Sequence, residues 1–403
     1  MMETSKRLEG IGEYYFSQKL REIDALNKQG KNVINLGIGS PDLPPHPDVI
    51  RTLQEESAKP NVHAYQGYKG SPVLRKAMAD WYQRWYNVNL DPDTEILPLI
   101  GSKEGIMHVC MTFLNEGDLV LVPNPGYPTY RSAAKLAGGK IVEYTLTEGN
   151  NWFPDFEALQ NIIDADPRAR ERGSLMWVNY PQMPTGQLPD KMLFERLVQF
   201  GKKNNVLICH DNPYSFILND DHMSILSVPG AKETALELNS LSKSQNMAGW
   251  RVGLMASGKE IVEAVLRFKS NMDSGMFLPI QLAAAKALGL GKDWYDHVNE
   301  VYRNRRKTVF ELLDLLETEY SELQAGMFVW AKIPVSHKSG YELSDEILNS
   351  AAVFITPGGI FGAAGDAYIR ISLCSPEEKF REAITRIQHS RKIPAPMEQA
   401  ENK

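Results

Sequence analysis

Three cysteines, at positions 110, 209 and 374, are all that the 403 residues contain, and they are too widely spaced for a disulfide framework or a metal-binding pair. Each sits in an apolar stretch, which fits small core residues in a reducing compartment. No apolar run approaches the ~18 residues that a membrane helix requires. Basic charge is not in excess either: 44 Lys and Arg against 50 Asp and Glu leave a net charge of -6, which argues against a nucleic-acid partner. The opening "MMETSKRLEG" is polar and lacks the apolar region of a signal peptide. Also missing are a G-x-x-x-x-G-K-[ST] phosphate loop, an H-E-x-x-H pair and a G-x-S-x-G elbow. The expectation is a soluble, cytoplasmic protein whose chemistry needs neither a metal nor a serine nucleophile.

What is present is an ordinary globular balance, 43% hydrophobic and 23% charged residues, in a chain longer than one core normally serves. Its middle alternates short apolar runs with helical patterns: "TEILPLIG", "DLVLVPNPG", "SLMWVNYPQMPTG", "NNVLICHDNPY" and "TALELNSLSK" read as strands. That rhythm predicts an α/β fold with a mainly parallel sheet covered by helices. Residues 45–290 are expected to form a large domain, and 1–44 with 291–403 a smaller lobe built from both chain ends. The basic run "RNRRK" (303–307) lies in a helical pattern and reads as a solvated face. "GGIFGAAGD" (358–366) reads as a loop near the mouth of a site, and the residues after "RKIPAPMEQ" as a frayed end.

Each predicted strand runs into polar, Gly or Pro residues, and ligands of open α/β sheets gather beyond the carboxyl ends of the strands. "IGSKEG" places Gly101, Ser102 and Lys103 where a strand becomes a helix, a ready anion site that is also a common structural turn. "CHDNPY" ends a strand on Asp211, a candidate partner for a protonated ring nitrogen or simply a cap or ion-pair partner. His210, beside it, has no second ligand at metal spacing and reads as packing. In "NSLSKSQNMAGWRVG", Lys243 can serve as a Schiff-base lysine, while Ser240, Ser242 and Arg251 can hold a phosphate. A phosphate, a ring that needs an anionic partner and an aldehyde that needs a lysine together describe pyridoxal 5'-phosphate.

The sequence resembles the class I/II aminotransferases, the fold-type I pyridoxal-phosphate enzymes, in eight blocks in family order. These are "INLGIGSPD", "AYQGYKGSPVLRKA", "LPLIGSKEG", "LVPNPGYPTY", "NYPQMPTG", "CHDNPY", "SLSKSQNMAGWRVG" and "YIRISL". The likeness is greatest to the LL-diaminopimelate aminotransferases and their neighbours. It implies a seven-stranded, mainly parallel sheet in the large domain, a homodimer with shared active sites, and ping-pong transfer of an amino group from an amino acid to a 2-oxo acid. LL-diaminopimelate and aspartate-type donors are both open.

By that resemblance Lys243 bonds the cofactor and moves the substrate proton, Asp211 pairs with the pyridinium nitrogen, and Tyr214 donates to the phenolic oxygen. Tyr127 stacks on the ring. Gly101, Ser102, Lys103, Ser240, Ser242 and Arg251 form the phosphate cup, with the direct contact left open between the two serines. Tyr65, and with it Asn271, is implied to reach the neighbouring subunit's site, and Arg370 with the backbone at Ile38 and Gly39 the substrate α-carboxylate. One departure stands out: Met183 replaces the asparagine of the usual Asn-Pro-Thr-Gly, and a thioether donates no hydrogen bond. A Cβ or Cγ lyase uses the same lysine, aspartate and arginine, and is the alternative reading. A non-catalytic member of the fold is a third.

Overall fold

The computed structural model describes residues 2–13 and 15–392; the frayed end expected after residue 399 lies outside them. Seven strands form the central sheet: β1 (Ile96–Leu99), β2 (Leu119–Asn124), β3 (Lys140–Thr145), β4 (Ser174–Asn179), β5 (Val206–Asp211), β6 (Ala235–Ser240) and β7 (Gly253–Ala256). Their spatial order is β1-β7-β6-β5-β4-β2-β3. The strands β2 to β6 pair in parallel, whereas β7 runs antiparallel to both of its neighbours. The antiparallel β7, and β3 at the edge, lie in segments that the sequence pattern did not mark as strands.

Helices cover both faces of this sheet, so its strands bury both sides and read as continuous apolar runs. Alternate side chains still go to different cores, because successive Cβ atoms point to opposite faces. Leu121, Met176, Val178 and Ile208 join the larger core, against the helices Pro72–Tyr86 and Lys191–Asn204. Val120, Val122, Leu175, Trp177, Cys209 and Leu238 join the other, against Ser102–Phe113 and Lys259–Lys269.

The chain ends meet in a second region. Ile34–Asn35 pairs in parallel with Val353–Phe354. Beside it, Thr356–Pro357, Tyr368–Ser372, Phe328–Lys332 and Glu319–Tyr320 form a four-stranded antiparallel sheet in that order. The basic run on the helix Lys292–Leu315 departs from the solvated face expected of it. Arg303 and Lys307 are exposed, but Arg305 is buried. Its guanidinium forks onto both oxygens of Asp42 at 2.7 Å and donates to the Leu373 carbonyl at 3.0 Å. Helical spacing could not reveal a partner 263 residues away.

This fork ties the early segment to the late one. Arg305→Ala would leave the Asp42 carboxylate without its principal partner and is expected to cost about 2–4 kcal/mol in urea unfolding, less when Asp42→Ala accompanies it. A loss below about 0.5 kcal/mol would put the pair in the class of weak surface bridges.

Candidate active site

The strands β1, β2, β4, β5 and β6 all end at one edge of the sheet, and β7 begins there, with Gly253 opposite Ser240 and Leu99. Asn179 lies opposite Asp211 in the same row. Above this edge lies a cavity of about 480 Å3, within the size range of small-molecule sites. Ser102, Lys103, Tyr127, Asp211, Tyr214, Ser240, Ser242, Lys243, Arg251, Ile38, Gly39 and Arg370 all line it. Residues separated by more than 300 positions thus converge, as the strand-end argument anticipates.

At one end, the turn from β1 into the helix Ser102–Phe113 passes through Gly101 at φ 86°. A Cβ there would lie 2.1 Å from Arg251 Nη2 and would push the guanidinium out of this position, besides straining the backbone. Arg251, itself in the left-handed region at φ 58°, donates to the Ala248 carbonyl at 2.9 Å and to Ser242 Oγ at 3.4 Å. Ser240 Oγ accepts from the Ser242 backbone N–H at 3.1 Å. Burial, with the Arg251 charge adding to it, lowers the Lys103 pKa. Two cations, the hydroxyls of Ser102, Ser240 and Ser242, and a helix N-terminus make this end suited to a phosphate.

Asp211 ends β5 beside the cavity and is 4% exposed. Tyr130 donates its hydroxyl to Oδ2 at 2.8 Å, while Oδ1 is buried and, among the described residues, meets no donor. Burial raises this carboxyl to about 6, against the lowering influence of Tyr130, His210 and Lys243. Tyr130 is held in turn by stacking on Trp177, with ring centroids 5.1 Å apart and planes within 4°. The opposite face of β5 carries His210, fully buried between Glu237 at 2.9 Å and the Tyr180 carbonyl at 2.8 Å. The packing role expected of this histidine fits that position.

Lys243 Nζ donates to the Gly39 carbonyl at 2.8 Å. Burial lowers its pKa, and the charges of Arg370 and Arg251 act in the same direction. Tyr214 lies with its ring 6.0 Å from that nitrogen, its phenol pushed well up by burial. At the far end Arg370 donates to the Gly37 carbonyl at 2.8 Å and meets Met183 Sδ at 3.3 Å. Three phenylalanine rings surround its guanidinium: Phe328 at 3.9 Å, Phe361 at 4.6 Å and Phe16 at 5.6 Å.

Two of the expected site residues are not part of the cavity wall: Gly101, which lies against Arg251, and Tyr65. Tyr65 is 93% exposed and does not line the cavity of its own chain. Sequence reasoning in turn passed over Tyr130, Asn179, Phe16, Leu20, Phe328 and Phe361, which do line it. For Tyr130 a signal existed: it follows Tyr127 by three positions at the start of a helix, and so shares its face. "GGIFGAAGD" does lie at the cavity, through Phe361.

The model for the aminotransferase class I and II family matches residues 31–387. An LL-diaminopimelate aminotransferase of Dehalococcoides mccartyi is 40% identical over 389 residues, covering 96% of this chain and 98% of that protein. One of the same name from Aquifex aeolicus is 39% identical, with 96% and 99% covered. Among solved structures, substrate-bound BacF from Bacillus subtilis superposes with a TM-score of 0.90 at 35% identity, covering 96% and 98% of the two chains. The chain therefore belongs to the class I and II aminotransferases, fold-type I enzymes that use pyridoxal 5'-phosphate to move an amino group between an amino acid and a 2-oxo acid.

The cavity suits that cofactor on its own evidence. Among the described residues Asp211 Oδ1 is a buried acceptor with no donor, and Gly101 lets the Arg251 guanidinium lie against the start of the helix, where an anion can be held. The folded-state carboxyl of Asp211 titrates at about 6, against about 3.9 when unfolded. Ionising it therefore costs the folded, cofactor-free protein, whose stability falls as the pH rises through that window. At pH 7.5, Asp211→Asn is expected to stabilise the cofactor-free protein by about 1–3 kcal/mol while weakening cofactor binding at least about tenfold. A cofactor-free variant that melts no higher than wild type would contradict this account.

Proposed function

We propose that Lys243, Asp211 and Arg370 are the working centre of a ping-pong transamination, the reading supported above all by their convergence on one cavity. When bound, the cofactor supplies an aldehyde carbon and an electron-withdrawing ring. Asp211 Oδ1 accepts the ring N–H and holds that nitrogen protonated. Lys103, Arg251, Ser102, Ser240, Ser242 and the amides after Gly101 hold the phosphate. Tyr127 packs on the ring, and Tyr214 donates to its phenolic oxygen. Arg370 forks onto the substrate α-carboxylate, which the backbone at Ile38 and Gly39 closes over. Lys243 Nζ, kept neutral more readily by burial, would take the proton from the substrate Cα and hold it for return on the same face. For the second half-reaction the same residues would bind a 2-oxo acid, with Arg370 on its carboxylate and Lys243 moving the proton in the opposite sense. The relatives' names, all of them aminotransferases, do not favour the lyase alternative.

The division into a large domain at 45–290 and a smaller one from 1–44 and 291–403 is proposed on the pairing of Ile34 with Val353 and on the Arg305–Asp42 fork. A homodimer is proposed on the exposed cluster of Tyr65, Tyr68, Met272 and Phe277, which also leaves Tyr65 and Asn271 available to a neighbour's cavity. The segments packing under this cluster touch: the rings of His63 and Phe277 stack 5.7 Å apart. Three buried, unpaired cysteines support a reducing, cytoplasmic location. Among the described residues no helix is long and apolar enough to cross a membrane. LL-diaminopimelate is the donor that the relatives' names offer.

Two measurements test this reading. Adding single amino acids to the cofactor-loaded protein, without a 2-oxo acid, should convert its absorption band from the pyridoxal to the pyridoxamine form. Lys243→Ala should abolish the conversion, reducing the rate at least about 10⁴-fold. Release of ammonia and an oxo acid without band conversion would instead signal a lyase. Met183→Asn adds a donor beside the phenolic oxygen and favours the deprotonated lysine–cofactor linkage. The pH at which the visible band shifts should therefore fall by about 1 unit; an unchanged midpoint would leave Met183 without this influence.

A further inference from the structure

The loop 358–366 brings Phe361 to the cavity, yet four of its nine residues are glycine and its regular structure is two short helical turns. Glycine gives up more backbone entropy on ordering than any other residue, so such a loop needs contacts from outside itself. At its far end the Asp366 carbonyl accepts from the Gly340 N–H at 2.6 Å. At the cavity end the contacts come from the central sheet and the helix Pro128–Leu136.

A closed ring of hydrogen bonds makes that connection. Arg131, on this helix, donates from Nη2 to the Phe361 carbonyl at 3.3 Å and from Nε to Glu143 Oε1 at 2.7 Å. Glu143, on β3, accepts from the Asn124 side-chain amide at 2.6 Å through its other oxygen. Asn124, the last residue of β2, accepts in turn from the Ala364 N–H at 3.1 Å, which returns the ring to the loop. The Gly126 N–H, one residue before Tyr127, adds a second donor to the Phe361 carbonyl at 2.8 Å. Gly362 permits so close an approach. Its φ is 131°, and a Cβ there would lie 2.1 Å from Asn124 Oδ1 and 2.6 Å from Arg131 Nη2.

The ring reaches the site through one side chain. Phe361 is 1% exposed, and its ring centroid lies 4.6 Å from the Arg370 guanidinium, which also faces Phe328 at 3.9 Å. Aromatic faces fix the plane of a guanidinium, and a planar fork holds a carboxylate only when that plane is aimed at it. Displacing the Phe361 backbone would let the plane tilt. We propose that Arg131 is a positioning residue: through the Phe361 carbonyl it holds the Phe361 ring, and so the plane of Arg370. The proposal rests on the assignment of Arg370 to the substrate carboxylate made above. It adds Arg131, Glu143 and Asn124 to the groups on which substrate binding depends, although none of the three lines the cavity.

Half-reactions of the cofactor-loaded protein test this, using the amino acid that converts the wild-type band fastest. Arg131 and Glu143 keep 29% and 38% of their side chains exposed, so Arg131→Met opens no core. That variant should raise the half-saturating concentration about tenfold and leave the limiting rate within about threefold, the mark of weakened carboxylate binding. The band's pH midpoint without substrate should not move. Arg131→Lys, which keeps a cationic donor, should fall between Arg131→Met and wild type. Amide exchange over 358–366 should quicken at least about fivefold in Arg131→Met, with the strand Tyr368–Ser372 unchanged. Unchanged exchange in the loop overturns the proposal. So does faster exchange with unaltered half-saturation, because the loop then has no hold on Arg370. A fall in limiting rate alone overturns it as well. If the wild-type protein converts no amino acid, the transamination reading fails instead, and loop exchange still decides whether Arg131 holds Phe361.

Discussion

A carboxylate buried at the end of a strand, with one oxygen that meets no donor among the described residues, is the constraint around which this molecule is organised. Asp211 is costly to hold in that state, since an ionised group away from water needs partners that only Tyr130 partly supplies. The cost is useful if a cationic ring nitrogen completes the set, because the same burial that raises the carboxyl strengthens its attraction for that nitrogen. The surroundings keep the geometry from relaxing. Tyr130 is fixed by its stack on Trp177, and β5 is paired on both sides by β4 and β6. Beneath the sheet, Glu237 gathers His210, Tyr82, Ser224 and the Ile225 N–H around its two oxygens. One residue of strand separates this satisfied network from the unsatisfied oxygen above it.

The two polar ends of the cavity have different origins. The phosphate end is made by the central sheet, from the starts and ends of β1, β6 and β7, where backbone N–H groups and Arg251 come together. The carboxylate end is made by segments from both chain termini: Gly37 near one and Arg370 near the other, joined at 2.8 Å. Arg305 and Asp42 reinforce that junction from behind. Lys243 bridges the two, with its strand-end loop in the sheet and its amine on Gly39. The cavity is therefore closed by segments from both chain ends as well as by the central sheet.

Much of this was legible beforehand because short-range chemistry leaves short-range marks. Gly101 before Ser102, and Lys243 between serines with Arg251 beyond, lie in a few consecutive residues each, and strand ends are visible as apolar runs breaking into polar ones. The edge strand β3 and the antiparallel β7 were less visible, since a four-residue strand such as Gly253–Ala256 carries too little pattern to separate from a loop. Arg305 was misjudged for a related reason. Its neighbours Arg303 and Lys307 do face solvent, and nothing local distinguishes the one arginine whose partner is Asp42.

The sequence by itself pointed to the cofactor, because the residue types proposed to bond it, pair with its ring and hold its phosphate stand at particular strand ends. It also determined the α/β alternation, which follows from periodicity alone. Only the tertiary structure decided which side chains share a cavity wall with those groups. Phe16, Leu20, Phe328 and Phe361 lie on a helix, a strand and a short turn far apart in the chain, and each is indistinguishable from a core residue until the fold is closed. The same holds for Tyr130, whose hydroxyl finds Asp211 across 81 residues. Catalytic groups are constrained by chemistry and leave a signature in residue type, whereas the surfaces that choose a substrate are constrained by shape, which exists only after distant segments have packed.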